Sequence, residues 1–284
     1  MILAGVVSVC ALSLVSAQSA DTPPPLVYEA AAVKPNKDGP GESYIRRQPG
    51  GRLNAVNFPL RTLITFAYQI QGFQLVNAPA WLADERFDIV AKLPGDPPPV
   101  PPGSGPDPHM IAMRTLLADR FKLTVHRETQ QLDIYALVKA RADGTLGPAL
   151  KRSSDECERV MKAVVGGAPP PTGPSAPMCG MRQNFGRMQM GGFPLSQFAS
   201  SLAAAVGRYV VDRTGLTGPY DFVMTFAPEP PRGPLPPGVE LPPVDPNAPS
   251  LFTAIQEQLG LKLEATKGPV EVLVIDSVDR PISD

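Results

Sequence analysis

Twice in this chain the tripeptide Phe-Pro-Leu opens a segment with helical spacing, in "NFPLRTLITFAY" from Asn57 and in "GFPLSQFASSLA" from Gly192. Leu60, Leu63, Ile64, Ala67 and Tyr68 fall at i, i+3, i+4, i+7 and i+8, which lays one apolar stripe along a helix. Leu195, Phe198, Ala199 and Leu202 repeat that stripe. Asn57 is placed to cap the first helix, with Pro59 in the first turn, where its missing N–H would be unpaired anyway.

The text after each helix also repeats. "FQLVNAP", "WLADE" and "RFDIVAKLP" read as strand, turn and strand, and "RYVVD", "RTGLTGP" and "YDFVMTFAP" replay them. A Pro-rich linker follows in each half. Beyond the first linker, Asp107 and Pro108 open a helix whose buried face is Met110, Met113, Leu117 and Phe121. Beyond the second, Ser250 caps "LFTAIQEQLG", with Leu251, Ile255 and Leu259 on one face and Gly260 able to end it in the left-handed conformation. Each half is then expected to close on a hairpin. The first is "FKLTVHRE" with "LDIYALVKA", and the second is "LKLEAT" with "VEVLVIDSV" around a Lys267-Gly268-Pro269 turn.

The chain thus reads as α+β, an internal duplication of α-β-β units. A lone unit cannot bury both its helix and its sheet face, so the copies are expected to share antiparallel sheets backed by helices. "LVYEAAAVKP" from Leu26 adds a strand. The expected organisation is a signal peptide over residues 1–17, a first half over 26–150, a disulfide-containing connector over 151–191 and a second half over 192–284.

The leader rests on the apolar run Ile2 to Val15, too short to span a bilayer comfortably, followed by the small residues Ser16 and Ala17. No Lys or Arg precedes that run. Its removal leaves two cysteines, Cys157 and Cys179, and an even count in an oxidising compartment reads as one disulfide. The stretch between them is rich in Gly and Pro and has little core of its own. No second apolar run is long enough to cross a membrane. With 26 Lys and Arg against 27 Asp and Glu, no electrostatic argument favours a nucleic-acid partner. The expected location is periplasmic or extracellular.

No catalytic constellation is legible. There is no Gly-x-Ser-x-Gly elbow, phosphate loop, dinucleotide fingerprint or His-Glu-x-x-His. His109 and His126 stand alone, without the company a metal centre needs, so no metal or cofactor is expected. The candidate binding residues are few. Trp81 could serve as an aromatic platform or as a half-buried anchor. Arg120 follows Asp119 near a helix end, where a cation is favourable. Asp212, Arg213, Tyr220 and Asp221 crowd around Gly215 and Gly218, in a loop that either binds a ligand or simply turns.

The strings "YEAAAVKPN", "NAPAWLADERFDIVAKLP", "MRTLLADRFKLTVHRET", "CGM", "GRYVVDRTGLTGPYDF" and "SLFTAIQEQLGLKLEATKGPVEVLVIDSVDRP" together resemble the soil-associated bacterial protein family, carried as a domain of unknown function. The resemblance spans nearly the whole chain after the leader. It implies an exported protein without an established activity, and it supplies no catalytic residues. Similar domains are attached to membrane antirepressor metallopeptidases of the β-lactam-sensor type, which implies sensing by analogy. This chain has no zinc motif of that peptidase.

Two functions follow as expectations. The first is a non-catalytic, sensor-like module of the cell envelope that binds a ligand or protein in the groove between the halves, near the Trp81 and Arg213–Tyr220 loops. The alternative is a secreted hydrolase in which Asp88 and Asp221, at matching "FD" and "YD" positions, form a carboxylate pair on an envelope or environmental polymer.

Overall fold

The structure is a computed structural model that describes residues 26–97, 106–169, 171, 173, 176–228, 245 and 247–281. The expected leader and most of the second Pro-rich linker lie outside these residues. In chain order the first half comprises β1 (Ala30–Asn36), β2 (Tyr44–Gln48), β3 (Arg52–Pro59), α1 (Leu60–Tyr68), β4 (Leu75–Val76), α2 (Trp81–Asp84), β5 (Arg86–Lys92), α3 (Pro108–Arg120) and β6 (Thr124–Lys139). The second half comprises β7 (Lys151–Arg152), α4 (Glu156–Val165), β8 (Gly180–Asn184), β9 (Arg187–Pro194), α5 (Leu195–Val206), β10 (Val210–Asp212), β11 (Pro219–Thr225), α6 (Leu251–Leu259) and β12 (Leu261–Ser277). The fold is α+β, with antiparallel sheets backed by helices.

Among the described residues there are three sheets, and two of them are copies of one another. The first runs β1-β5-β3-β2 and another runs β7-β11-β9-β8, so the same four positions are used in the same order. Each carries one helix directly after its third strand. The buried residues of α1 are Leu60, Leu63, Ile64 and Ala67, and those of α5 include Leu195, Phe198, Ala199 and Leu202, the stripes that the spacing predicts. The strands β7 and β8 fall within residues 151–191, so that stretch contributes to the second copy of the sheet.

The remaining sheet joins the halves, in the order β10-β6-β12-β4. Here the structure departs from the sequence expectation. The two closing hairpins are each one long strand, and β6 pairs antiparallel with β12 from Leu261↔Lys139 to Ser277↔Thr124. Gly268 and Pro269 sit inside β12 opposite Leu132 and Gln131. Gly268 gives clearance there, because a Cβ would press on the Cδ1 of Ile134 on the neighbouring strand and make that side chain shift. The composition of a turn was a cross-strand clearance.

The ribbon ties two cores together. Leu273 and Ile275 at the end of β12 are buried with Leu53, Ile64 and Phe87 of the first half. Leu137 at the end of β6 is buried with Met190, Phe198 and Phe222 of the second. Each short strand crosses over as well. β4 pairs in parallel with β12 at Leu273↔Leu75, and β10 pairs in parallel with β6 at Val210↔Tyr135. Both halves therefore complete their cores with a strand from the other.

Helix starts follow the expected chemistry at two places. The Asp107 side chain accepts the N–H of His109, with Pro108 in the first turn, and Ser250 accepts the N–H of Thr253. Gly260 ends α6 at φ +70°. Asn57 is different. It does not cap α1, whose first residue follows Pro59; it lies within β3, buried, at φ +60°.

Candidate functional site

The Phe-Pro-Leu repeat marks a β-bulge. Asn57 and Gly192 precede it, at φ +60° and +75°, and the pairing register slips beside each one. Asp88 Oδ1 accepts the N–H of Asn57 at 2.8 Å, and Asp221 Oδ1 accepts the N–H of Gly192 at 2.8 Å. These two carboxylates belong to different sheets, and each fixes the bulge of its own half.

The copies then diverge. Between β1 and β2 the first half needs only residues 37–43. Between β7 and β8 the second half inserts α4 and a Gly- and Pro-rich stretch, closed by the Cys157–Cys179 disulfide across a separation of 22 residues. This insertion lies on the strand β9 itself. A Cβ on Gly191 would overlap the carbonyl oxygen of Met178, and one on Gly192 would overlap the Cβ of Cys157. The matching residues of the first half are Val56 and Asn57, which carry side chains where the second half has none. Among the described side chains of α4, Cys157 alone is buried.

The insertion walls a cleft of about 480 Å³. It lies over residues Gln189, Asp221 and Val223, which alternate with the buried Met188, Met190, Tyr220 and Phe222 and so face away from α5 and α6. Met178 and the disulfide close one side, and Lys151 and Glu156 stand at the polar rim. Lys151 is the registry partner of Asp221, as Lys34 is of Asp88. One donor differs between the copies. Asp88 Oδ1 also accepts from Asn36 Nδ2 at 2.9 Å, whereas at the matching place Ser153 Oγ donates to Ser154 O. On the other side of α4, Cys157 also lines a cleft of about 830 Å³ with Met161, Phe193 and Gln197.

The expected residues are dispersed. Trp81 opens α2, packs half-buried on the first core and carries the guanidinium of Arg280 4.8 Å from its ring centroid. Arg120 lies in the last turn of α3, with Nε 3.3 Å from Asp119 Oδ2, and its guanidinium donates to the carbonyl of Ala31. It lines a separate cleft of about 440 Å³ with Tyr28 and Thr115. Asp212 Oδ1 accepts from both the N–H and the hydroxyl of Thr214, and the Arg213 N–H donates to Leu137 O. Tyr220 is 5% exposed within the second core, under the Arg152 guanidinium. Asp221 is the one member of this set in the disulfide-walled cleft. A further cleft of about 760 Å³, lined by Phe185, Phe226 and Phe252, lies at the end of the second half. Three of these four clefts are lined from within one half, and the disulfide-walled cleft takes only Pro148 and Ala149 from the first; the β6–β12 ribbon joins the halves.

Lys151, Glu156 and Met178 were missed by sequence reasoning. The available signal was the Gly191-Gly192 pair, which aligns with Val56-Asn57 once the Phe-Pro-Leu repeats are superposed. Small residues at a position where the sister copy is bulky mark a close backbone approach.

The histidines stay apart. His109 is 3% exposed, within reach of the Tyr28 hydroxyl, which donates to its carbonyl oxygen at 3.0 Å. Burial holds the His109 imidazole below its ordinary pKa, and burial, with Asp107 nearby, pushes the Tyr28 hydroxyl up. His126 pairs across the ribbon with Asp276 at 2.8 Å. Among the described residues no group of three or more His, Cys, Asp or Glu is arranged to hold a metal ion, and no helix is long and apolar enough to cross a membrane.

Fold and site define a duplicated α+β protein whose second half carries a disulfide-clipped insertion beside a cleft. The chain belongs to the family described as a protein of unknown function (DUF3738), whose model matches residues 61–278. No curated protein and no solved structure matches it.

Proposed function

We propose that the protein is an exported, non-catalytic binding module of the cell envelope, and that its ligand occupies the cleft beside the Cys157–Cys179 disulfide. One observation carries the reading. The duplicated sheets agree in strand order and in their bulges, and they differ where the second copy adds a covalently clipped wall over an open sheet face. A volume of about 480 Å³, with apolar Met178 and Val223 beside polar Lys151 and Asp221, suits a small ligand. The disulfide is in keeping with an oxidising compartment.

Thermal unfolding of the oxidised protein against muropeptides, glycans, β-lactams, peptides and metals tests the reading. A ligand at a hundred times its dissociation constant adds about 2.7 kcal/mol, a visible shift of the midpoint. The expected result is a shift that Met178→Asp or Val223→Asp abolishes. A ligand whose shift survives both changes would move the site elsewhere.

A further inference from the structure

We propose that this cleft takes a small zwitterion of amino-acid or dipeptide size, with its ammonium on Asp221 and Glu156 and its carboxylate on Lys151. The proposal deepens the binding-module reading and rests on it. Among the described residues the three charged groups of the cleft form no ion pair with one another within 4 Å, although Lys151 and Asp221 are registry partners on adjacent strands. Both signs of charge are therefore presented to the cleft side by side without a direct ion pair between them.

Three features changed together between the copies. Asp221 has lost the second donor that Asn36 supplies to Asp88, so its carboxylate keeps acceptor capacity for a ligand. The α4 insertion brings Glu156 to the same rim and leaves the cleft with two carboxylates against one ammonium. It also brings Pro177 and Met178, which with Val223 give the cleft apolar lining beside the charged groups. An amine and a carboxylate joined by a short apolar body match that set of groups. A simple anion would face two carboxylates, and an uncharged sugar would make no use of the opposite charges set side by side.

Isothermal titration of the oxidised protein with alanyl-alanine, valyl-valine and methionyl-alanine tests this, each peptide also being used in N-acetylated and C-amidated form. Free peptides are expected to bind at least tenfold more tightly than either blocked form. Lys151→Met should erase the difference between free and C-amidated peptide, and Glu156→Gln should narrow the difference between free and N-acetylated peptide. Both side chains are exposed, so the variants are expected to fold. The comparison on the unaltered protein needs no variant. Equal affinity for free and blocked forms, or no binding by any of them, overturns the proposal. If the peptides fail while another ligand shifts the unfolding midpoint through Met178 and Val223, the ligand class is wrong and the binding reading stands. If nothing binds through that cleft, both fall.

Discussion

Asp88 Oδ1 holds the backbone N–H of Asn57 at 2.8 Å, and the contact locks a residue at φ +60° in the middle of an antiparallel sheet. The bulge it fixes turns the chain from β3 into α1, and Asp221 does the same for α5. Asp88→Ala leaves that partly buried N–H without its charged acceptor. The loss is expected to cost about 1.5–3 kcal/mol, and Asp88→Asn, which keeps an acceptor, should recover most of it. Urea unfolding of the two variants checks the order. Equal loss in both would mean that the charge, and not the hydrogen bond, is what matters.

Helix α4 depends on its disulfide. With Cys157 its one buried described side chain, reduction removes the anchor while the sheets beneath keep their own cores. The double change Cys157→Ala, Cys179→Ala should lower stability by about 3 kcal/mol in the chain-entropy account. Amide exchange is expected to speed up throughout α4 and remain slow along β6 and β12. Uniform loss of protection across the molecule would show the clip to be integral to the global fold.

His109 supplies a pH dependence with a definite sign. Its folded pKa lies below the unfolded value of about 6.5, so the unfolded chain takes up the proton first on acidification. The stabilisation is complete above about pH 6.5 and declines as pH falls toward the lowered folded value, with a slope of at most about 1.4 kcal/mol per pH unit. Urea midpoints at pH 7.5 and 5.5 should therefore differ more for the native chain than for His109→Gln. An unchanged difference would place the sensitivity in other groups.

The halves should not fold alone. A fragment of residues 26–150 lacks Leu273 and Ile275, which sit 2% and 5% exposed in its core, and its complement lacks Leu137. Each fragment by itself is expected to give no cooperative thermal transition by circular dichroism, and an equimolar mixture is expected to regain one. A cooperative transition in the isolated first fragment would contradict the interlocked ribbon.

Much of the local structure was legible because it depends on neighbours in sequence. The stripes on α1 and α5, the Asp107 and Ser250 caps, and the αL ending at Gly260 are all local statements, and the structure has each of them. Asn57 misled because an Asn before a Pro-opened helix resembles a cap, and only the carboxylate of Asp88, 31 residues away, makes it a bulge. The candidate site was legible at Asp221 and at the Cys157–Cys179 disulfide. Lys151 and Glu156 stand in polar text, and nothing local marks either one.

The sequence by itself determined that this is a duplicated α+β chain, since periodicity, caps and repeated strings are properties of short stretches. Only the tertiary structure decided that Lys267-Gly268-Pro269 runs straight through a strand, because it pairs there with Asp133, Leu132 and Gln131 of β6. It likewise decided that the halves exchange strands and that the cleft stands beside Cys157. Such outcomes follow from which residues meet between stretches distant in sequence, and hydrophobic burial, being non-directional, leaves no trace of that choice in either stretch alone.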